Sequence, residues 1–178
     1  MTALWSQEIY IAAYQFAAQA HHGQRVPGTH LPYLVHVSLV CMEVMTALTL
    51  EPEHDGDLAI QCALLHDVLE DTETTYDQLQ ETFGAQVAEG VLALSKDKRI
   101  EASQQLADSL RRIRLQPAEV WMVKLADRIT NLQTPPKHWT REKITRYRAE
   151  AIEIQVALKN ASPVLEARLA DKIERYAG

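Results

Sequence analysis

No stretch of this 178-residue chain keeps a strand's alternation of apolar and polar residues for more than a few positions. No Asn-Gly or Asp-Gly pair sits between alternating runs as a hairpin signal. Apolar residues recur at helical spacing instead. Leu4, Trp5, Ile9, Ala12, Ala13, Phe16, Ala17 and Ala20 fall on one side of a helix over residues 3–21. Glycine (six) and proline (seven) are sparse, so few positions interrupt a helix. The pattern predicts an all-α fold, a bundle of roughly eight to ten helices.

Local signals divide the chain. Gly23 can end the first helix, and GQRVPGTHLP at 23–32 reads as a loop. Further helices are expected over 33–48 and 57–69, with a turn from Glu51 to Gly56 between them. Thr75 with Gln78 reads as a capping box that opens a short helix ending near Gly84. Another helix covers 85–94, and SKDKRIEA after it is a charged connector. The next helix, 101–114, carries Leu106, Leu110 and Ile113 on one face and RRIR at its end, where cations suit the dipole. Pro117 fits the first turn of a helix that runs to about Leu132. Pro135-Pro136 breaks it, a long helix follows over 140–160, and Ser162-Pro163 opens a last one to about Tyr176. With no repeat and no linker, residues 1–178 are expected to form a single domain.

The net charge of −6 argues against non-specific binding to nucleic acid or an anionic membrane. It leaves room for a small anionic ligand held by a few local cations. Cys41 and Cys62 lie in apolar helical runs and read as reduced core residues of a cytoplasmic protein. The N-terminus has no basic region ahead of an apolar one, and Gln7 and Glu8 interrupt it, so it is not read as a signal peptide. No apolar run approaches the length of a membrane span.

The chemistry concentrates in ALLHDVLEDT, residues 63–72. His66 and Glu70 are four apart, and so are Asp67 and Asp71. If helix geometry persists, each acid lies one turn from a member of the His-Asp pair. Negative charge at a helix C-terminus opposes the dipole, so three carboxylates there call for a cation. The bland alternative is a solvated helix end. Two further residues fit a metal set. His36 sits in the apolar YLVHVSLV, where a core histidine bonded to a carbonyl is the competing reading. Asp127 sits in VWMVKLADRITNL, where an ion pair with Lys124 competes. Together His36, His66, Asp67 and Asp127 offer two imidazoles and two carboxylates, which suit Mn²⁺, Fe²⁺ or Zn²⁺.

A separate His, an HD pair and a distant Asp resemble the HD-domain metal-dependent phosphohydrolases. AAQAHHGQR, PYLVH, ALLHDVLEDT, TTYDQLQETFGAQVA and VKLADRITNL are similar, in that order, to the hydrolase of the RelA/SpoT homologues, and above all to the small alarmone hydrolases. The resemblance implies an HD-domain helical bundle. It implies His36, His66, Asp67 and Asp127 as ligands of Mn²⁺, and Glu70 and Asp71 as the catalytic acids that handle water and proton. It implies Arg25, Asn131, Lys143 and Tyr147 at the substrate, and Lys124 can offset phosphate charge beside them. The activity implied is removal of the 3′-pyrophosphate of (p)ppGpp, giving GDP or GTP and pyrophosphate. The partner is then a small nucleotide, not a nucleic acid or a membrane.

Two positions depart from the family's pattern. Val37 follows His36 where proline is usual, and Val26 follows Arg25 where a second basic residue is common. The second departure keeps other substrates open, an adenosine alarmone or NADPH. A catalytically silent binding module is the remaining alternative, and no ligand or acid is lost to favour it. Lys96, Lys98 and Arg99 read as a solvated charge run. The length leaves no room for the synthetase of long family members, so hydrolysis without synthesis is expected.

Overall fold

Helical periodicity becomes ten α-helices in the computed structural model, which describes residues 4–136 and 138–176. In chain order they are α1 Gln7–Ala20, α2 Leu34–Leu50, α3 Gly56–Leu65, α4 Val68–Asp71 and α5 Tyr76–Phe83. Then follow α6 Ala85–Leu94, α7 Gln105–Ile113, α8 Ala118–Asn131, α9 Arg141–Ala157 and α10 Pro163–Arg175. No β-strand occurs among the described residues. An isolated bridge between Arg25 and Pro32 closes the loop between α1 and α2.

Helix α3 is the hub. Leu58, Ala59, Ile60, Cys62, Ala63, Leu64 and Leu65 are all buried, and only Asp57 and Gln61, four apart, form a polar edge. Helices α2 and α8 pack against it and against each other. They contribute Val37, Val40, Val44, Met122, Leu125 and Ile129 to the same core. Helix α6 comes close through Gly90: a Cβ there would stand 2.9 Å from Cys62 Sγ and 3.0 Å from Val120 Cγ2. Both cysteines are free and buried, as expected.

The expected punctuation holds at several points. The capping box of Thr75 and Gln78 forms with both its hydrogen bonds. Gly84 takes φ +87° between α5 and α6, a conformation that favours glycine. Ser162 caps α10 ahead of Pro163.

Some boundaries differ. Helix α1 starts at Gln7 because Ser6 takes the N-cap role, its side chain accepting from the Ile9 N–H. Residue 3, where the expectation began, lies outside the described residues. Helix α7 starts at Gln105, since Glu101–Gln104 form a turn closed by Gln104 N–H to the Glu101 carbonyl at 2.8 Å. Helix α9 stops at Ala157, and the chain turns through Asn160 at φ +74°, a conformation asparagine tolerates.

The largest difference lies in ALLHDVLEDT. One helix was expected over 57–69, but α3 ends at Leu65 and α4 begins at Val68. His66 Nδ1 donates to the Ala63 carbonyl at 2.8 Å, the acceptor an unbroken helix would offer to the Asp67 N–H. Asp67 sits at φ −106°, ψ −2°. The His-Asp pair is therefore a joint between two helices. The i to i+4 link survives beyond it, because the Asp71 N–H still donates to the Asp67 carbonyl at 2.9 Å.

Candidate active site

Three central helices bring four groups to one point. His36 comes from the first turn of α2, His66 from the end of α3, Asp67 from the joint after it and Asp127 from α8. The Nε2 atoms of His36 and His66 face each other at 3.3 Å. Asp67 Oδ2 lies 2.8 Å from His66 Nε2 and 3.6 Å from His36 Nε2. Asp127 Oδ1 lies 3.5 Å from His36 Nε2 and 4.0 Å from His66 Nε2. One atom from each of His36, His66 and Asp67 falls within 4.8 Å of the others, as metal ligands require. Asp127 joins them through the two imidazoles.

The donor chemistry fits a divalent cation. The bond from His66 Nδ1 to Ala63 holds the proton on that nitrogen and leaves Nε2 with its lone pair toward the cluster. Imidazole nitrogen and carboxylate oxygen, with no thiolate, suit a first-row metal. The acids and the imidazoles hold one another's charge. Burial pulls the His36 imidazole down, but Asp127 and Asp67 outweigh it and raise its pKa to about 9. Burial opposes ionisation of Asp67 too, yet His66, His36 and Tyr33 hold its carboxyl well below the usual range. Asp127 is likewise lowered against burial, first by the Lys124 ammonium and then by His36 and His66. Two half-buried carboxylates that stay ionised need positive charge close by, from the imidazoles and Lys124 or from a cation that takes the place of the imidazole protons.

The second acidic pair borders the same cavity, a space of about 120 Å³ that also touches Tyr33, Leu94, Lys96, Lys124 and Asn131. Glu70 is tied down: Lys96 Nζ meets Oε1 at 3.0 Å, and the Lys96 N–H donates to Oε2 at 2.9 Å. Lys98 Nζ donates to the Glu70 carbonyl at 2.6 Å. Asp71 differs. Burial, then the charges of Asp67 and Glu70, raise its pKa against the pull of Lys98 and Lys96. Two adjacent acids with unlike surroundings are equipped for unlike tasks.

Residues 13–165 match the family described as HD domain. This chain belongs to the HD domain family. Its relatives include guanosine-3′,5′-bis(diphosphate) 3′-pyrophosphohydrolase MESH1 of Danio rerio, 30% identical over 92% of this chain and 92% of that one. An enzyme of the same activity name from Aquifex aeolicus is 35% identical over 82% of this chain, which spans only 20% of that protein. Among solved structures, one described as a metazoan ortholog of SpoT that hydrolyzes ppGpp superposes with TM-score 0.82, at 26% identity over 98% of both chains. The structure of lmo0812 from Listeria monocytogenes shares the fold, with TM-score 0.65 at 21% identity over 80% of this chain and 94% of that one.

In this HD domain the residues expected at the substrate separate into two groups. Lys124 and Asn131 line the cavity, and both hold Asp127: Lys124 Nζ at 3.2 Å from Oδ2, Asn131 Nδ2 at 2.5 Å from Oδ1. Arg25, Lys143 and Tyr147 do not line it. Arg25 is exposed and donates to the His30 carbonyl at 3.1 Å, within its own loop. Lys143 Nζ lies 4.1 Å from the centre of the Trp139 ring. Tyr147 packs edge-on to Trp139 and lies 4.2 Å beneath the Arg128 guanidinium.

Two residues at the HD site went unassigned from sequence. Lys96, read there as part of a solvated run, is the cation on Glu70. Its signal was the acidic pair itself, which needs positive charge. Tyr33 donates from Oη to Asp67 Oδ2 at 2.6 Å. It stands in PYLVH, three residues and so one turn before His36.

Proposed function

We propose that this HD domain hydrolyses the 3′-pyrophosphate of the guanosine alarmone (p)ppGpp with Mn²⁺. The products are GDP or GTP and pyrophosphate. One observation carries the reading: His36, His66, Asp67 and Asp127 converge in the cavity that Glu70 and Asp71 border. The activity named for relatives of near-equal length supports it. Residues 1–178 act as one domain in this reading, in the cytoplasm, where two buried free thiols are at home.

His36, His66, Asp67 and Asp127 would hold the metal. When bound it supplies positive charge that acidifies water and offsets phosphate oxygen. Water attacks phosphorus, the bond from phosphorus to the ribose 3′ oxygen breaks, and that oxygen takes a proton. Glu70, fixed by Lys96, orients the attacking water. Asp71, whose carboxyl holds its proton more readily than an ordinary aspartate, carries the proton. Lys96 and Lys124 bring ammonium groups to the cavity for the substrate's charge. Asn131 meets the substrate at the cavity wall, and Arg25, Lys143 and Tyr147 act farther along the nucleotide in this reading.

Substrate choice is tested by offering purified protein with Mn²⁺ a panel of guanosine and adenosine alarmones, NADPH and simple nucleotides. Products are separated by anion exchange. Pyrophosphate from the guanosine alarmone is expected. Phosphate from NADPH alone would replace this substrate with another and leave the HD chemistry standing.

A further inference from the structure

Asp67 Oδ2 receives a hydrogen bond from outside the candidate ligand set. The donor, Tyr33 Oη at 2.6 Å, belongs to the residue just before α2. Its ring lies between two imidazoles, with centroids 4.8 Å from His21 and 5.3 Å from His36. A phenol hydroxyl this close to a carboxylate oxygen is the donor of the pair.

The loop behind Tyr33 is anchored at several points. The Tyr33 N–H donates to the Gln24 carbonyl at 3.0 Å. The Gln24 side chain bonds His21 Nδ1 at 2.8 Å, and its Nε2 donates to the Asp71 carbonyl at 2.6 Å. The loop between α1 and α2 therefore touches both Asp67 and Asp71 without supplying a ligand or an acid.

We propose that Tyr33 is a positioning residue for the metal: its hydroxyl fixes the rotation of the Asp67 carboxylate so that the remaining lone pairs face His36 and His66. This rests on the reading of those four groups as a metal site. Asp67 lies at the joint between α3 and α4, outside both helices, so no helix packing sets its side-chain rotation. An outer hydrogen bond supplies that restraint before the metal arrives. Partners of this kind tune metal affinity by about 10- to 100-fold in other sites.

The test is Mn²⁺ binding to metal-free protein, followed by the loss of the free-ion paramagnetic resonance signal. Tyr33→Phe keeps the ring between the imidazoles and removes only the hydroxyl, and circular dichroism checks its fold. Gln24→Leu disturbs the loop and spares the hydroxyl. The expected result is Mn²⁺ affinity about 10-fold or more weaker in Tyr33→Phe and close to wild type in Gln24→Leu. Wild-type affinity in Tyr33→Phe would overturn the inference. So would an equal loss in both variants, which would make the effect one of loop order. A wild-type chain that takes up no Mn²⁺ overturns the metal reading itself, and this inference with it.

Discussion

Lys96 holds both carboxylate oxygens of Glu70, one through its ammonium and one through its backbone N–H. The grip joins the end of α6 to α4 across 26 residues of sequence. A long acidic side chain bordering a cavity would otherwise sample several rotamers. The contact with Lys96 selects one.

Lys96→Met keeps the backbone bond and removes the ammonium. We expect Mn²⁺ binding to persist and kcat to fall about 10-fold, with KM rising because the ammonium also faces the cavity. Steady-state kinetics beside a metal titration checks this. An unchanged kcat would mean that Glu70 needs no such clamp.

The His66-Asp67 pair and the Glu70-Asp71 pair predict different failures. Asp67→Ala removes a proposed ligand, so metal binding and turnover are expected to be lost together. Glu70→Ala keeps the ligands and loses most turnover, about 100-fold or more, as general acid–base groups contribute. Thermal melts separate the two. Metal at about 100 times its Kd adds about 2.7 kcal/mol to a binding-competent fold. That raises Tm by roughly 5–10 °C for a chain of this size. The rise is expected in wild type and Glu70→Ala, and not in Asp67→Ala. A fully active Glu70→Ala would end the role given to the second pair.

Gly90 tests the packing under the site. Alanine in a helix interior ordinarily gains about 1 kcal/mol over glycine. Here its Cβ would meet Cys62 Sγ at 2.9 Å and Val120 Cγ2 at 3.0 Å, both in the core. Overpacking of that kind costs about 1–3 kcal/mol, so the cost outweighs the gain. Gly90→Ala should lower the Tm of the metal-free protein. A higher Tm would show that α6 can move off α3 at little cost.

The helices and their caps were legible because they depend on neighbours in sequence. Thr75 with Gln78, Gly84 and Ser162-Pro163 each act within a few residues. The convergence of His36, His66, Asp67 and Asp127 was legible because His and Asp in apolar runs need a reason. The break at His66-Asp67 was not. It depends on the His66 ring taking the Ala63 carbonyl, a choice the local pattern does not encode. Lys96 was missed for a related reason: only the packing of α4 against α6 brings Glu70 to it. Arg25 was singled out by its motif position alone; in the folded loop its guanidinium donates to the His30 carbonyl, away from the cavity lining.

The central claim is hydrolysis at the 3′ position by this cavity. The most direct test supplies ppGpp and Mn²⁺ in heavy-oxygen water and identifies both products and the label by mass spectrometry. GDP and pyrophosphate are expected in equal amounts, with the heavy oxygen in pyrophosphate and none in GDP. Heavy oxygen in GDP, or release of single phosphates in place of pyrophosphate, would contradict it.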